Sequence, residues 1–200
     1  MSLLLSKDFV VFTTRQYAVT NKQSVPSASR ALNRMAKRDI LIKFTKGVWA
    51  NTQHPYFTPL ALVPLLLGNE QGYVSFLTAL HRHGAISQIP VTLQVATTGH
   101  TRKLQTPFGT VEFIQIKPNM MREGIEWSDT SLPYRIATAE KALIDLVYIS
   151  TRKGRRFSKL PEIDFKFDAK TLTRLVRTIR GDRIRAAIEN RLQLLNQLKR

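Results

Sequence analysis

Cysteine is absent from the 200 residues of this chain. Disulfides, thiolate zinc sites and a cysteine nucleophile are therefore excluded, and a reducing compartment fits. Long apolar runs are also missing. The longest, Leu60 to Leu67, is broken by Pro64 and falls far short of the roughly 20 residues that a membrane helix needs. The apolar Leu3-Leu4-Leu5 is too short for a signal core, and no basic residue precedes it. The expectation is a soluble, cytoplasmic protein without a membrane partner. There is no Gly-rich phosphate loop and no Gly-x-Ser-x-Gly nucleophile elbow. Histidines are few: His54, His81, His83 and His100. His81 and His83, two apart on a predicted helix, face different ways, and a helix C-terminus favours cationic side chains without any metal. A zinc site needs three or four converging ligands, so no metal and no cofactor is expected. Glu140 and Asp145 do not share a helix face, and Glu140 in a first helical turn suits the helix dipole. No catalytic residue is assigned, and an enzyme is not expected.

Acidic charge is scarce, and scarce in particular places. Residues 1–50 hold nine Lys/Arg against two Asp/Glu, and residues 51–100 one against one. Residues 101–150 hold six against six, and residues 151–200 fifteen against five. The net charge of +17 is thus two basic modules flanking a neutral middle. Solubility needs only modest charge of either sign, so this sorting reads as a footprint for a polyanion, DNA or RNA. A hydrophobic content of 43% supports packed cores, and the length allows one or two domains.

Phe9-Val10-Val11-Phe12 is apolar and ends at Thr13-Thr14. Thr14 is the expected N-cap of a short helix from about Arg15 to Thr20. After the polar turn Asn21-Lys22-Gln23-Ser24, Pro26 stands where a helix takes its first residue, and Pro26–Lys37 reads as a second helix. Ala28, Ala31, Leu32 and Met35 form its buried stripe. Ser27, Arg30, Asn33, Arg34 and Lys37 lie opposite. Ile40–Phe44 reads as a strand, Thr45-Lys46-Gly47 as a turn and Val48–Ala50 as a second strand. Helix, turn, basic helix and basic-tipped hairpin in this order predict a winged helix-turn-helix over residues 1–53. Arg and Asn on an exposed helix face can contact base edges in the major groove, while Ser and Lys beside them hold phosphates. The candidate DNA contacts are Thr14, Arg15, Ser27, Ser29, Arg30, Asn33, Arg34, Lys37, Lys43 and Lys46.

Five segments of the chain resemble AbiEi-type antitoxins. They are Phe12-Thr13-Thr14-Arg15; Leu32-Asn33-Arg34-Met35; Lys46-Gly47-Val48-Trp49-Ala50-Asn51; the stretch from Gly72 to His81; and the stretch from Ile136 to Leu146. Together they span most of residues 8–150; it is their order, rather than any one of them, that carries the resemblance. The resemblance implies a winged-helix domain followed by an α/β domain. It implies binding to double-stranded DNA at inverted repeats in the promoter of the protein's own operon. It also implies counteraction of a nucleotidyltransferase-like toxin without a stable complex, as in type IV toxin–antitoxin systems. Two alternatives stay open: a winged-helix regulator with an unrelated effector domain, and a nucleic-acid-processing enzyme.

Asn51–Phe57 reads as a linker, so the second domain is placed at residues 54–200. Thr58 and Pro59 start a helix to Leu67, and Gly72–His83 reads as one helix stopped by Gly84. Residues 91–97 and 110–116 alternate like strands, with a polar loop at 98–103 between them. Tyr134–Ile136 adds a strand, and Thr138 caps a helix from Ala139 to about Ile149. Two basic helices follow, over about 168–179 and 182–198, separated by Gly181. The fold class expected is α+β: a winged helix-turn-helix, then a mixed α/β domain ending in basic helices. Arg152, Lys153, Arg155 and Arg156 form a dense cluster assigned to phosphate contact.

Overall fold

The computed structural model describes residues 6, 9–153, 162–163 and 165–197, with the backbone alone at 152–153 and 194–197. Arg155 and Arg156 lie outside the described residues, as do the side chains of Arg152 and Lys153. The fold is mixed α+β, with one three-stranded and one six-stranded sheet. It divides into two compact units. One comprises residues up to Gly68 with Gln105–Gly109 and Ser128–Tyr134; the other comprises Asn69–Leu104, Thr110–Trp127 and the chain from Arg135 onward.

The first unit begins with β1 (Val11–Thr13), α1 (Thr14–Thr20) and α2 (Val25–Ala36), followed by β2 (Ile42–Thr45) and β3 (Val48–Ala50). The strands form an antiparallel sheet with β3 in the centre. The N-cap of α1 is Thr13, not Thr14 as expected. The Thr13 hydroxyl accepts from the Gln16 N–H at 3.1 Å, and the Thr13 N–H donates to Gln16 Oε1 at 2.6 Å, a reciprocal capping box. Ser24 caps α2 and Pro26 sits in its first turn. Strand β2 starts later than the apolar run suggests. Asp39 takes a left-handed conformation at φ 55°, and the Ile40 N–H closes back on Met35 O at 3.1 Å, so the helix exit consumes Ile40 and Leu41. Phe9, Phe12, Tyr17, Ala18, Ala28, Leu32, Leu41 and Trp49 make the core. Phe44, Phe57 and Phe108 extend it as a second aromatic cluster, with ring centroids of Phe108 at 5.9 Å from Phe44 and 5.0 Å from Phe57.

The expected linker is packed. Asn51 and His54 are buried, the Asn51 N–H donates to Val10 O at 2.8 Å, and the unit runs on to Gly68, past the break expected after residue 53. Its last part is a short 3-10 helix (Pro59–Leu62, capped by Thr58) leading into α3 (Val63–Leu67).

The second unit contains β4 (Gly72–Val74), α4 (Phe76–Arg82), β5 (Thr92–Thr97), β6 (Arg102–Thr106) and β7 (Gly109–Gln115), apart from Gln105, Thr106 and Gly109, which fall in the first unit. Then come β8 (Ile125–Trp127), β9 (Arg135–Ala137), α5 (Ala139–Lys153), α6 (Ala169–Arg177) and α7 (Asp182–Gln197). Strand order is β6-β7-β5-β4-β9-β8. The single helix expected over 72–83 is a strand followed by a helix. Strand β4 pairs antiparallel with β5 and parallel with β9, and its three residues are all buried, so it shows no alternation to tell it from a helix. Phe76 enters α4 at φ 54°, a conformation costing a non-glycine residue about 1–3 kcal/mol, and its fully buried side chain holds it there. The polar loop expected at 98–103 ends early, because Arg102 and Lys103 belong to β6. Helix α5 is the spine of the unit: Lys141 to Ser150 are buried, and it packs against α4, α6 and α7.

Candidate nucleic-acid interface

The open side of α2 follows from its sequence. Ala28 and Leu32 are buried, with Ala31 and Met35 packed beside them. At 100° per residue the opposite direction is taken by Arg30, Asn33 and Lys37, all exposed, with Arg34 next to them. Ser27 and Ser29 are half-buried at the flanks. Local hydrogen bonds order several of these groups. Arg30 Nη2 donates to Ser27 Oγ at 3.3 Å, Ser24 Oγ to Ser27 Oγ at 3.0 Å, and Asn33 Nδ2 to Ser29 O at 2.8 Å.

The β2–β3 hairpin carries Lys43 and Lys46, both exposed. Gly47 takes φ 81° in its turn, and the Lys43 ammonium lies 5.8 Å from the centroid of the Trp49 ring. A buried polar contact ties the hairpin to α1. The Trp49 indole N–H donates to Thr14 Oγ1 at 2.8 Å, and the Thr14 N–H donates to Gly47 O at 2.8 Å. Thr14 is 9% exposed, so it stands apart from the other candidates. It holds the hairpin in place, whereas Arg15 beside it is exposed. The tie between Trp49 and Thr14 spans 35 positions, and no local spacing in the sequence announces it.

Over residues 9–50 the chain has eight cations (Arg15, Lys22, Arg30, Arg34, Lys37, Arg38, Lys43, Lys46) and one acid, Asp39. None of these cations enters an ion pair among the described residues. Such a surface can do one thing cheaply: accept a polyanion without first breaking internal salt bridges.

Charges in the second unit are handled differently. The Lys141 ammonium pairs with Asp145 Oδ1, one helical turn on, with both side chains buried. Tyr73 Oη and Ser75 Oγ each donate to Asp145 Oδ2 at 2.8 Å. Burial, followed by the neighbouring Asp145 carboxylate, pushes the Tyr73 phenol well above its ordinary range. The sequence signal for this cluster is a lone Asp in the apolar run Ala142 to Ile149 with a Lys four positions earlier; the comparison of Asp145 with Glu140 does not find it. Glu140 does a local job, its carboxylate accepting the Asp168 N–H at 3.1 Å.

At the sheet's edge Arg102 Nη1 bonds Glu70 at 2.8 and 3.0 Å and stacks over Phe113, 4.1 Å from its centroid. The Arg102 hydrogen bond is the largest cause holding Glu70 below its usual carboxylate range. His83 Nε2 lies 2.8 Å from Ala137 O and His81 Nδ1 3.4 Å from Ile86 O, so both rings are tied to backbone. Among the described residues no three His, Asp or Glu side chains are grouped to hold a metal ion, and no helix is long and apolar enough to cross a membrane. Compared with family models and with curated proteins, the chain matches none.

Proposed function

We propose that this chain is a sequence-specific DNA-binding antitoxin and autorepressor of the AbiEi type. In this reading residues 9–50 act as a winged helix. Helix α2 is the recognition helix, presenting Arg30, Asn33, Arg34 and Lys37 to the major groove, where Arg fits guanine and Asn fits adenine edges. The β2–β3 hairpin is the wing, with Lys43 and Lys46 on phosphates. The observation that carries the reading is the set of eight cations without an ion pair among the described residues, on a unit whose hairpin is fixed to α1 by the Trp49–Thr14 bond. The second unit counteracts a nucleotidyltransferase-like toxin, without forming a stable complex and without catalysis or a cofactor. Its contribution rests on the resemblance through the Gly72–His81 and Ile136–Leu146 segments, where Tyr73, Ser75, Lys141 and Asp145 form one buried network.

The reading expects a nucleotidyltransferase-like gene beside that of this chain; the test co-expresses the two and reads a reporter driven by the chain's own upstream DNA. The Arg30→Ala/Arg34→Ala variant is expected to lose repression and keep protection against the toxin. Loss of both with an intact fold would contradict the division of labour between the two units.

A further inference from the structure

A second cationic face lies on α6, away from anything assigned above. Lys170, Arg174 and Arg177 occupy positions i, i+4 and i+7 of this helix, opposite buried Leu175 and Val176. Together with Ala169, Thr173 and Thr178 they line a shallow open cleft. The sequence of α6 contains three cations and no acid. Arg174 and Arg177 near the C-terminal end suit the helix dipole, but Lys170 in the first turn runs against it, so the dipole does not account for the stripe.

The neighbouring acids offset only part of its charge, Asp168 acting on Lys170 and Glu123 on Arg174. The Asp168 carboxylate is committed as N-cap, accepting from the N–H groups of Lys170 at 3.2 Å and Thr171 at 3.0 Å and from the Thr171 hydroxyl. The hydroxyls of Thr173 and Thr178 donate to Ala169 O at 2.8 Å and Leu175 O at 2.7 Å, which leaves the three cations as the donors of this face. Arg174 does pair with Glu123 at 3.1 Å, but those side chains are 63% and 41% exposed, and a surface pair of this kind yields readily to another anion.

We propose that the α6 face is a phosphate-backbone site for duplex DNA of any sequence. From Lys170 to Arg177 the helix rises about 10 Å at roughly 1.5 Å per residue. Along a duplex each strand offers a phosphate about every 3.4 Å of axis; because the strand winds around that axis, neighbouring phosphates lie farther apart than this rise, and the stripe covers about two to three of them once the reach of the Lys and Arg side chains is included. Single strands are a poorer fit, because they are held by stacking on aromatic side chains and the open face of α6 carries none. The site does not depend on the recognition role of α2.

The experiment measures binding of the full-length protein to a 30-base-pair random duplex across about 50–200 mM salt. Each phosphate contact contributes about 0.9 to the slope of log K against log salt. The Lys170→Gln/Arg174→Gln/Arg177→Gln variant is expected to be shallower by about two to three units. The charge-preserving Lys170→Arg/Arg174→Lys/Arg177→Lys variant is expected to keep the wild-type slope. Lys170→Gln alone, which removes a cation that the helix dipole disfavours and so leaves the fold intact, is expected to lose about one unit. An unchanged slope in the Gln variants overturns the proposal, as does a change seen only with single-stranded RNA or an acidic polypeptide. A parallel Arg30→Gln/Arg34→Gln/Lys37→Gln variant separates the two ideas. If only that variant changes slope, the α6 site fails and the recognition role of α2 stands. If only the α6 variants change, α6 stands, and the recognition role is decided by the same α2 variant on the chain's own upstream DNA.

Discussion

The eight cations of residues 9–50 make no ion pair among the described residues, while in the second unit Lys141, Arg102, Lys103, Arg174 and Arg185 each face a carboxylate. The same side-chain types thus do two kinds of work. In the second unit part of the charge is spent internally: Lys141 and Asp145 lie inside the core, satisfied by each other and by two hydroxyls. Partners of this kind are obligatory there, because a buried charge left alone is costly. In the first unit the core is apolar and aromatic, and the cations stay outside it, with no carboxylate partner among the described residues. Their mutual repulsion opposes folding slightly, and an external polyanion relieves it. Charge that the fold has paired serves stability; charge that the fold leaves unpaired is available to a partner.

The largest expected effect attacks the paired side of this contrast. Asp145→Ala strands the Lys141 ammonium in the core and should cost about 3–5 kcal/mol in urea denaturation. Replacing both groups together, as Lys141→Met/Asp145→Leu, should recover only part of that loss: the uncompensated charge is gone, but the Tyr73 and Ser75 hydroxyls lose their acceptor. A loss below about 1 kcal/mol for Asp145→Ala would mean that water reaches the pair. Next comes the tie that positions the hairpin. Trp49→Phe keeps an aromatic side chain, removes the N–H donated to Thr14 and leaves a small void in the core, which should lower stability by about 1–3 kcal/mol. Thr14→Val should cost a similar amount, and the double variant less than the sum, since both remove one interaction. Additive losses would show that the two side chains act separately. The smallest effect is at the sheet edge. Glu70 sits below its ordinary value of 4.5 in the folded chain. Its contribution is therefore present above that value and lost as the pH falls through the lowered one. Glu70→Gln should reduce stability by less than about 1 kcal/mol near neutrality, with the gap to wild type closing below about pH 4.5. A gap that stays constant down to pH 3 would assign the loss to packing rather than to charge.

The first unit was largely legible in the sequence because its signals are local. Ser24 and Pro26 mark the start of α2, Ala28, Leu32 and Met35 repeat on one face, and Lys46-Gly47 turns the hairpin. What failed there was fine placement. Thr13 rather than Thr14 caps α1 because the Thr14 hydroxyl serves Trp49, a contact between residues distant in sequence. Segment 51–57 looked like a linker because it is polar, yet Asn51 and His54 are buried. The second unit was less legible. Gly72-Tyr73-Val74 is buried by strands on both sides, so its pattern matches a helix as well as a strand. Strand β8 (Ile125–Trp127) is three residues long and mostly exposed at the sheet's edge, with no apolar run to announce it. The network of Tyr73, Ser75, Lys141 and Asp145 was missed because it joins residues about 70 positions apart; only the Lys-to-Asp spacing within α5 was visible in advance.

The proposed role of the α2 cations is to read DNA sequence. Footprinting and binding isotherms on the chain's own upstream DNA, at about 150 mM salt and beside a random duplex of equal length, test it directly. The account predicts a protected inverted repeat and tighter binding to the upstream DNA than to the random duplex. It further predicts that Arg30→Ala/Arg34→Ala loses about 1–3 kcal/mol at the operator, with relaxed base preference, while its unfolding midpoint is unchanged. Equal affinity for the two duplexes, or an operator footprint that the double variant reproduces at wild-type concentration, would contradict it.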